Sequence, residues 1–210
     1  MAYNARGHQI VQSIHRNCHI NIILKKLTDN GLTEMSEKHP IIAITGSSGA
    51  GTSLAKSAFM YIFRKNGIKP AIIEGDCFHR YNRVEMDELS IEAEKNGENL
   101  THFGPEGNLF EDLENVFREY GANGTGRRRF YIHDEKEASE RGSAPGTLTE
   151  WESLEANTDL LFYEGLHGGL VTKEINIAKH VDLLIGVTPI INLEWMQKIH
   201  RDQAVRGYTT

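Results

Sequence analysis

The sequence predicts an α/β fold, a mainly parallel sheet with helices on both faces. Three observations carry this. Short apolar runs of strand length recur along the chain, at Ile41 to Thr45, Pro70 to Glu74, Leu160 to Glu164 and Val181 to Val187. Segments of helical period separate them, and strand–helix alternation builds parallel sheets covered on both sides. A glycine-rich turn joins the first run directly to the first helix.

Taken in order, the first 35 residues differ from the rest. Arg6, Arg16, Lys25, Lys26 and three histidines face only Asp29 and Glu34, and the apolar cluster Ile20 to Leu24 is too short for a signal-peptide core. Residues 1–35 therefore read as an extension, poorly ordered or not native, with Met35 as a plausible natural start. Residues 36–210 read as one domain. Within it, a helix from about Thr52 to Asn66 places Leu54, Ala58, Tyr61 and Ile62 on one face. A charged helix spans Glu85 to Asn96, and Glu106 to Tyr120 repeats Leu109, Leu113, Val116, Phe117 and Tyr120 at helical spacing. Gly121 to Gly126 reads as a loop, Arg129 to His133 as a strand of a peripheral hairpin, and Leu193 to Arg206 as the last helix.

Bulk properties narrow the function. The 210 residues are 39% hydrophobic and 25% charged with a formal charge of −6, which disfavours a nucleic-acid partner while leaving room for a local basic pocket. No apolar run approaches the roughly 18 residues of a membrane span. The two cysteines, Cys18 and Cys77, indicate neither a disulfide framework nor a cysteine-based metal site, so a reducing cytoplasm is the expected setting.

The strand-turn-helix segment carries the chemistry. Gly46, Ser47, Ser48, Gly49, Ala50, Gly51, Thr52 and Ser53 follow the first apolar run and open the first helix, the arrangement of a phosphate-binding loop. Glycines let consecutive backbone N–H groups curve around an anion, and the helix adds the positive end of its dipole. Ser53 stands at the position of the magnesium-ligating hydroxyl. The usual lysine before it is replaced by Thr52, so another cation must supply that charge. A distant strand, Asp159 to Glu164, ends in a carboxylate, which reads either as a metal-site acid or as a strand-end glutamate facing solvent.

After the second strand, Asp76 is placed to accept a proton from an attacking hydroxyl, or to cap a helix. His79 and Arg83 would share a face if the segment is helical, and would suit an anionic group. In the last helix Lys198, Asp202 and Arg206 at four-residue spacing describe an exposed, salt-bridged surface, with Arg201 beside them.

Together GSSGAGTS (46–53), EGDCFHRYNR (74–83), FYEGLHG (162–168) and INLEWMQKIHRD with VRGYTT (191–210) resemble the bacterial class of phosphoribulokinases, within the phosphoribulokinase and uridine kinase group of phosphate-loop proteins. The resemblance runs from about Met35 to Thr210 and ends within a family segment, which implies a fold incomplete at its C-terminal end and, with sheet edges uncovered, poor solubility. The bacterial class also has threonine at the position of Thr52.

The resemblance implies ATP and Mg2+ as cofactors and ribulose 5-phosphate as the acceptor. It makes Asp76 the base for the 1-hydroxyl and places His79, Arg83 and Arg206 on the sugar and its phosphate. It assigns Ser53 and Glu164 to the metal, Lys198 and Arg201 to the γ-phosphoryl, and Asp202 as a further functional carboxylate. It also implies NADH activation, AMP inhibition and a homo-oligomer. Plant-type relatives are switched through a phosphate-loop cysteine, which this loop lacks. Two alternatives stay open: another phosphate-loop kinase, such as a uridine or pantothenate kinase, and a nucleotide-binding fragment without catalysis.

Overall fold

A computed structural model of the chain describes residues 39–204 and, as backbone, residues 9–12 and 21–24. Four mutually parallel strands belong to its main sheet: Ile41–Gly46 (β3), Pro70–Glu74 (β4), Leu160–Gly165 (β7) and Leu183–Val187 (β8). Their spatial order is β8-β3-β7-β4, with the short antiparallel strands Gln9–Gln12 (β1) and Asn21–Leu24 (β2) continuing the sheet beyond β8. The remainder of the expected extension, including Met35, lies outside the described residues. Because β8, β3, β7 and β4 run in the same direction, the loops leaving their carboxyl ends all open on one edge, where ligands bind in open α/β sheets.

The strands read as near-continuous apolar runs because both faces are covered. Along β7, Leu161 and Tyr163 point to one face and Leu160 and Phe162 to the other, and each joins a separate core. On the first face, Leu113, Val116, Phe117 and Tyr120 of helix Phe110–Asn123 (α3) pack on Ile41, Ala43 and Ile73. On the second, Phe59 and Phe63 of helix Thr52–Lys65 (α1) meet Phe162 at ring distances of 5.4 Å. Burying an aromatic ring of this kind stabilises the fold by about 1.5–3 kcal/mol.

Several sequence expectations need correction. The α1 stripe that packs is Ala55, Phe59, Met60 and Phe63, whereas Leu54, Ala58, Tyr61 and Ile62 face outward, Leu54 being 63% exposed. Both stripes have helical spacing, and the one with two phenylalanines fills the space over Phe162. Helix α3 starts later than Glu106 and runs through Gly121, ending where Gly124 takes a left-handed φ of 70°. The peripheral hairpin pairs Arg127–Arg128 (β5) with Glu152–Ser153 (β6), and Tyr131 adds only a single bridge to Leu148. Helix Arg83–Lys95 (α2) is closed by a capping box in which Asn82 accepts from the Glu85 N–H and the Glu85 carboxylate accepts from the Asn82 N–H, both at 2.9 Å. A short helix, Glu135–Arg141 (α4), follows the first arm of the hairpin, and Ile191–Ala204 (α5) follows β8.

Candidate active site

The phosphate loop is built by its backbone. Gly51, the residue before α1, has φ 96° and ψ 20°, a left-handed conformation that favours glycine, and no side chain caps the helix. No acidic residue occupies the first turn of α1. The first N–H groups are therefore left facing the loop's interior, with the positive end of the helix dipole behind them. The loop is braced from one side by α5: a side chain on Gly49 would come within 3.0 Å of the Glu194 carbonyl and 3.2 Å of Lys198 Cβ.

From this loop the site extends along the carboxyl ends of β4 and β7. Glu74 and Glu164 are register partners at the ends of these strands. Beyond them Gly75 and Gly165 approach so closely that a Cβ on Gly165 would meet Gly75 Cα at 2.8 Å, which explains why glycine follows each glutamate. Thr52 donates its hydroxyl to Glu164, and Lys56, one turn further along α1, is ion-paired with Glu74. Burial pushes the Glu164 carboxyl above its ordinary range, a push opposed by the Thr52 hydroxyl and the Lys56 charge and reinforced by Glu74 and Asp76.

Asp76 lies in a 3-10 turn, Gly75–Phe78, and caps no helix; Asn82 does that for α2. His79 Nε2 is 3.5 Å from one Asp76 oxygen and His133 Nε2 is 3.4 Å from the other. His79 is extended and Arg83 is the first residue of α2, so the two are not on one helix face; the non-helical stretch 79–82 brings them to the same cleft instead. The turn is held from outside by Arg129, which donates to the Cys77 carbonyl at 2.9 Å and the His79 carbonyl at 2.6 Å while its guanidinium lies 4.7 Å from the Trp151 ring centre. Cys77 is fully buried and its thiol is pushed up to about 12 by burial, which favours the protonated form over the reactive thiolate.

One cleft of about 800 Å³ gathers these parts. The whole loop 46–53, Asp76, His79, Arg83, Glu164, Lys198 and Arg201 line it. Arg201 donates to the Ser48 hydroxyl at 3.0 Å, and the Lys198 ammonium sits 5.7 Å from the centre of the Phe103 ring across the opening. Asp202 falls in α5 with its side chain undescribed, and Arg206 lies outside the described residues. Sequence reading missed Lys56, Glu74, His133 and Asn108. Lys56 had a local signal, since it follows Thr52 by four residues on a helix. His133 reaches Asp76 from 57 positions away and had none.

The residues present fit a hard divalent cation. Glu164 and Ser53 offer oxygen donors beside the phosphate loop, and Glu164 is a largely buried carboxylate whose ionised form lacks full compensation. Among the described residues no group of three or more His, Cys, Asp or Glu side chains forms a cage, which suits an ion that takes its remaining ligands from water and phosphate.

The comparisons agree with this geometry. The chain is 58% identical over 177 residues to the chromosomal phosphoribulokinase of Cupriavidus necator and 55% identical over the same length to that of Nitrobacter vulgaris. These alignments cover 84% of this chain, and the chain spans 61% of the length of those relatives. The solved phosphoribulokinase of Rhodobacter spheroides superposes with a TM-score of 0.72 at 51% identity, over 82% of this chain and 59% of that one. D-glycerate 3-kinase from Cryptococcus neoformans, at 12% identity and TM-score 0.52 over 82% and 73% of the two chains, shares the fold alone. The profile of the phosphoribulokinase / uridine kinase family matches residues 41–210, from the first residue of β3 onward, and the chain belongs to that family.

Proposed function

We propose that this chain carries the catalytic centre of a kinase that transfers the γ-phosphoryl group of ATP to the 1-hydroxyl of ribulose 5-phosphate, giving ribulose 1,5-bisphosphate for carbon fixation in the Calvin cycle. The observation that carries this reading is the single cleft in which the phosphate loop faces the Asp76 turn. The loop amides cradle the nucleotide phosphates, and Lys198 and Arg201 neutralise charge that develops on the transferred group, together supplying the cation absent at Thr52. Asp76 takes the proton of the attacking hydroxyl, a role worth typically 10²–10⁴-fold. His79 and Arg83, with Arg206 by family resemblance, hold the acceptor's phosphate, and Asp202 is a further functional carboxylate on the same ground. Magnesium, held by Ser53 and Glu164, would screen the nucleotide's charge. An NADH activator site, a homo-oligomer and a cytoplasmic location rest on the resemblance to the bacterial class.

The competing reading, a kinase of a neutral acceptor such as uridine, leaves the cationic flank of Asp76 without a purpose. ADP formation from MgATP with ribulose 5-phosphate, ribulose or uridine separates them. The assay is run on this chain and on a form carried to its relatives' full length. Turnover dependent on the 5-phosphate supports the proposal; equal or better turnover with uridine overturns it.

A further inference from the structure

His79 presents two nitrogens to two different partners, Nδ1 to Asn108 and Nε2 to Asp76. Asn108 is 1% exposed and sits in an extended stretch tied to the Asp76 turn by a bridge to His79 and by the Leu109 N–H donating to the Phe78 carbonyl at 2.8 Å. Its amide nitrogen donates both hydrogens, to the His102 carbonyl and the Gly104 carbonyl, each at 2.8 Å. With the nitrogen side so committed, the amide cannot be turned over without setting two carbonyls against its oxygen. Its oxygen therefore faces His79 Nδ1 at 3.1 Å, and an amide oxygen can only accept.

We infer that Asn108 is a positioning residue that fixes His79 as the Nδ1–H tautomer, so that Nε2 is the nitrogen turned toward Asp76 and the cleft. This rests on the reading of Asp76 as the proton acceptor, and its consequence is electrostatic. In neutral His79 the bare Nε2 would oppose an ionised Asp76 oxygen at 3.5 Å, two acceptors face to face. In the imidazolium both nitrogens donate, Nδ1 to Asn108 and Nε2 toward Asp76 or an incoming anion. The remaining groups on the ring are the Tyr131 ring, edge-on at 5.6 Å, and the His102 ring at 5.2 Å. Asn108 thus sets which ring nitrogen of His79 faces Asp76 and the cleft. Oriented imidazoles elsewhere are held in the same way, by the hydrogen bond on the nitrogen remote from the working one.

The test is a tautomer measurement, independent of turnover. Long-range 1H–15N correlation spectra of this chain, taken at alkaline pH where the imidazole is neutral, report which nitrogen of His79 is protonated. The expected result is Nδ1–H in the unmutated chain and Nε2–H in Asn108→Leu, where Nε2–H can donate to Asp76. Asn108→Asp keeps an acceptor for Nδ1 and so retains the Nδ1–H tautomer, at a cost in stability because its second oxygen faces the His102 and Gly104 carbonyls. In the active enzyme Asn108→Leu raises the KM for the phosphorylated acceptor about 10-fold or more, the scale of a lost hydrogen bond to a charged group, with the KM for MgATP little changed. Asn108→Asp restores most of that loss. An Nε2–H tautomer in the unmutated chain overturns the inference, and does so even if Asn108→Leu fails to fold. An unchanged tautomer in Asn108→Leu, or equal acceptor KM values in the two variants, overturns it as well. Absence of ribulose 5-phosphate turnover in every form counts against the proposed function and leaves the tautomer result standing.

Discussion

Arg201 of α5 and Ser48 of the phosphate loop, 153 positions apart in sequence, are joined by a 3.0 Å hydrogen bond from the guanidinium to the hydroxyl. The contact brings a cation from α5 onto the phosphate loop. It also couples the loop's shape to the position of α5.

Removing the cation should therefore cost far more than removing its hydroxyl partner. Arg201→Met is expected to lower kcat by about 10²–10³-fold, as loss of a transition-state charge contact does. Ser48→Ala should lower it by about 10-fold, because the hydrogen bond from a charged group that it removes is worth ~1.5 kcal/mol at the low end of its range and the charge itself stays in place. Initial rates at saturating substrates check both, and equal losses would show that the hydroxyl, not the charge, matters.

Arg129 holds the Asp76 turn through the Cys77 and His79 carbonyls. Arg129→Lys keeps the charge but cannot span both carbonyls with a planar fork. It should destabilise the chain by about 1–3 kcal/mol, read as a lower urea midpoint at unchanged slope. Its acceptor KM should rise while its MgATP KM stays near that of the unmutated enzyme.

Glu164 is an acid whose carboxyl is raised in the folded chain, chiefly by burial, above its ordinary value of 4.5. A raised acid binds its proton more readily folded than unfolded, so between the unfolded and folded values stability falls as pH rises. Glu164→Gln should therefore raise the Tm of the ligand-free chain at neutral pH and lose most of that advantage near pH ~4, below the group's ordinary value. The same variant should lose activity. A Tm gain of the same size at both pH values would remove desolvation as the cause.

How far the sequence revealed the site follows from where each signal resides. The phosphate loop, β3 and the acid ending β7 were legible because strand, glycine spacing and carboxylate lie within a few residues of one another. The outward stripe of α1 misled, because Leu54, Ala58 and Ile62 have the same four-residue spacing as Ala55, Phe59 and Phe63 and periodicity does not say which stripe meets Phe162. His79 and Arg83 both line the cleft, but the turn and the capped start of α2 bring them there, not the shared helix face expected from their spacing. His133 and Asn108 were invisible because their roles arise from tertiary approach, the first through the hairpin and the second through a buried amide facing the Asp76 turn. Lys198 and Arg201 looked like an exposed helix surface until the family resemblance pointed to the nucleotide site, and the cleft brings them to the phosphate loop.

The central claim is that Asp76, between His79 and His133 and opposite the phosphate loop, takes the acceptor's proton. The most direct test is Asp76→Asn, which keeps the size and the turn but removes the base. Calorimetric binding of MgATP should be unchanged within about 2-fold, a shift of less than ~0.5 kcal/mol. Ribulose 5-phosphate-dependent turnover should fall by about 10²–10⁴-fold. Turnover retained within a few fold, or MgATP binding lost in proportion to turnover, would contradict the account.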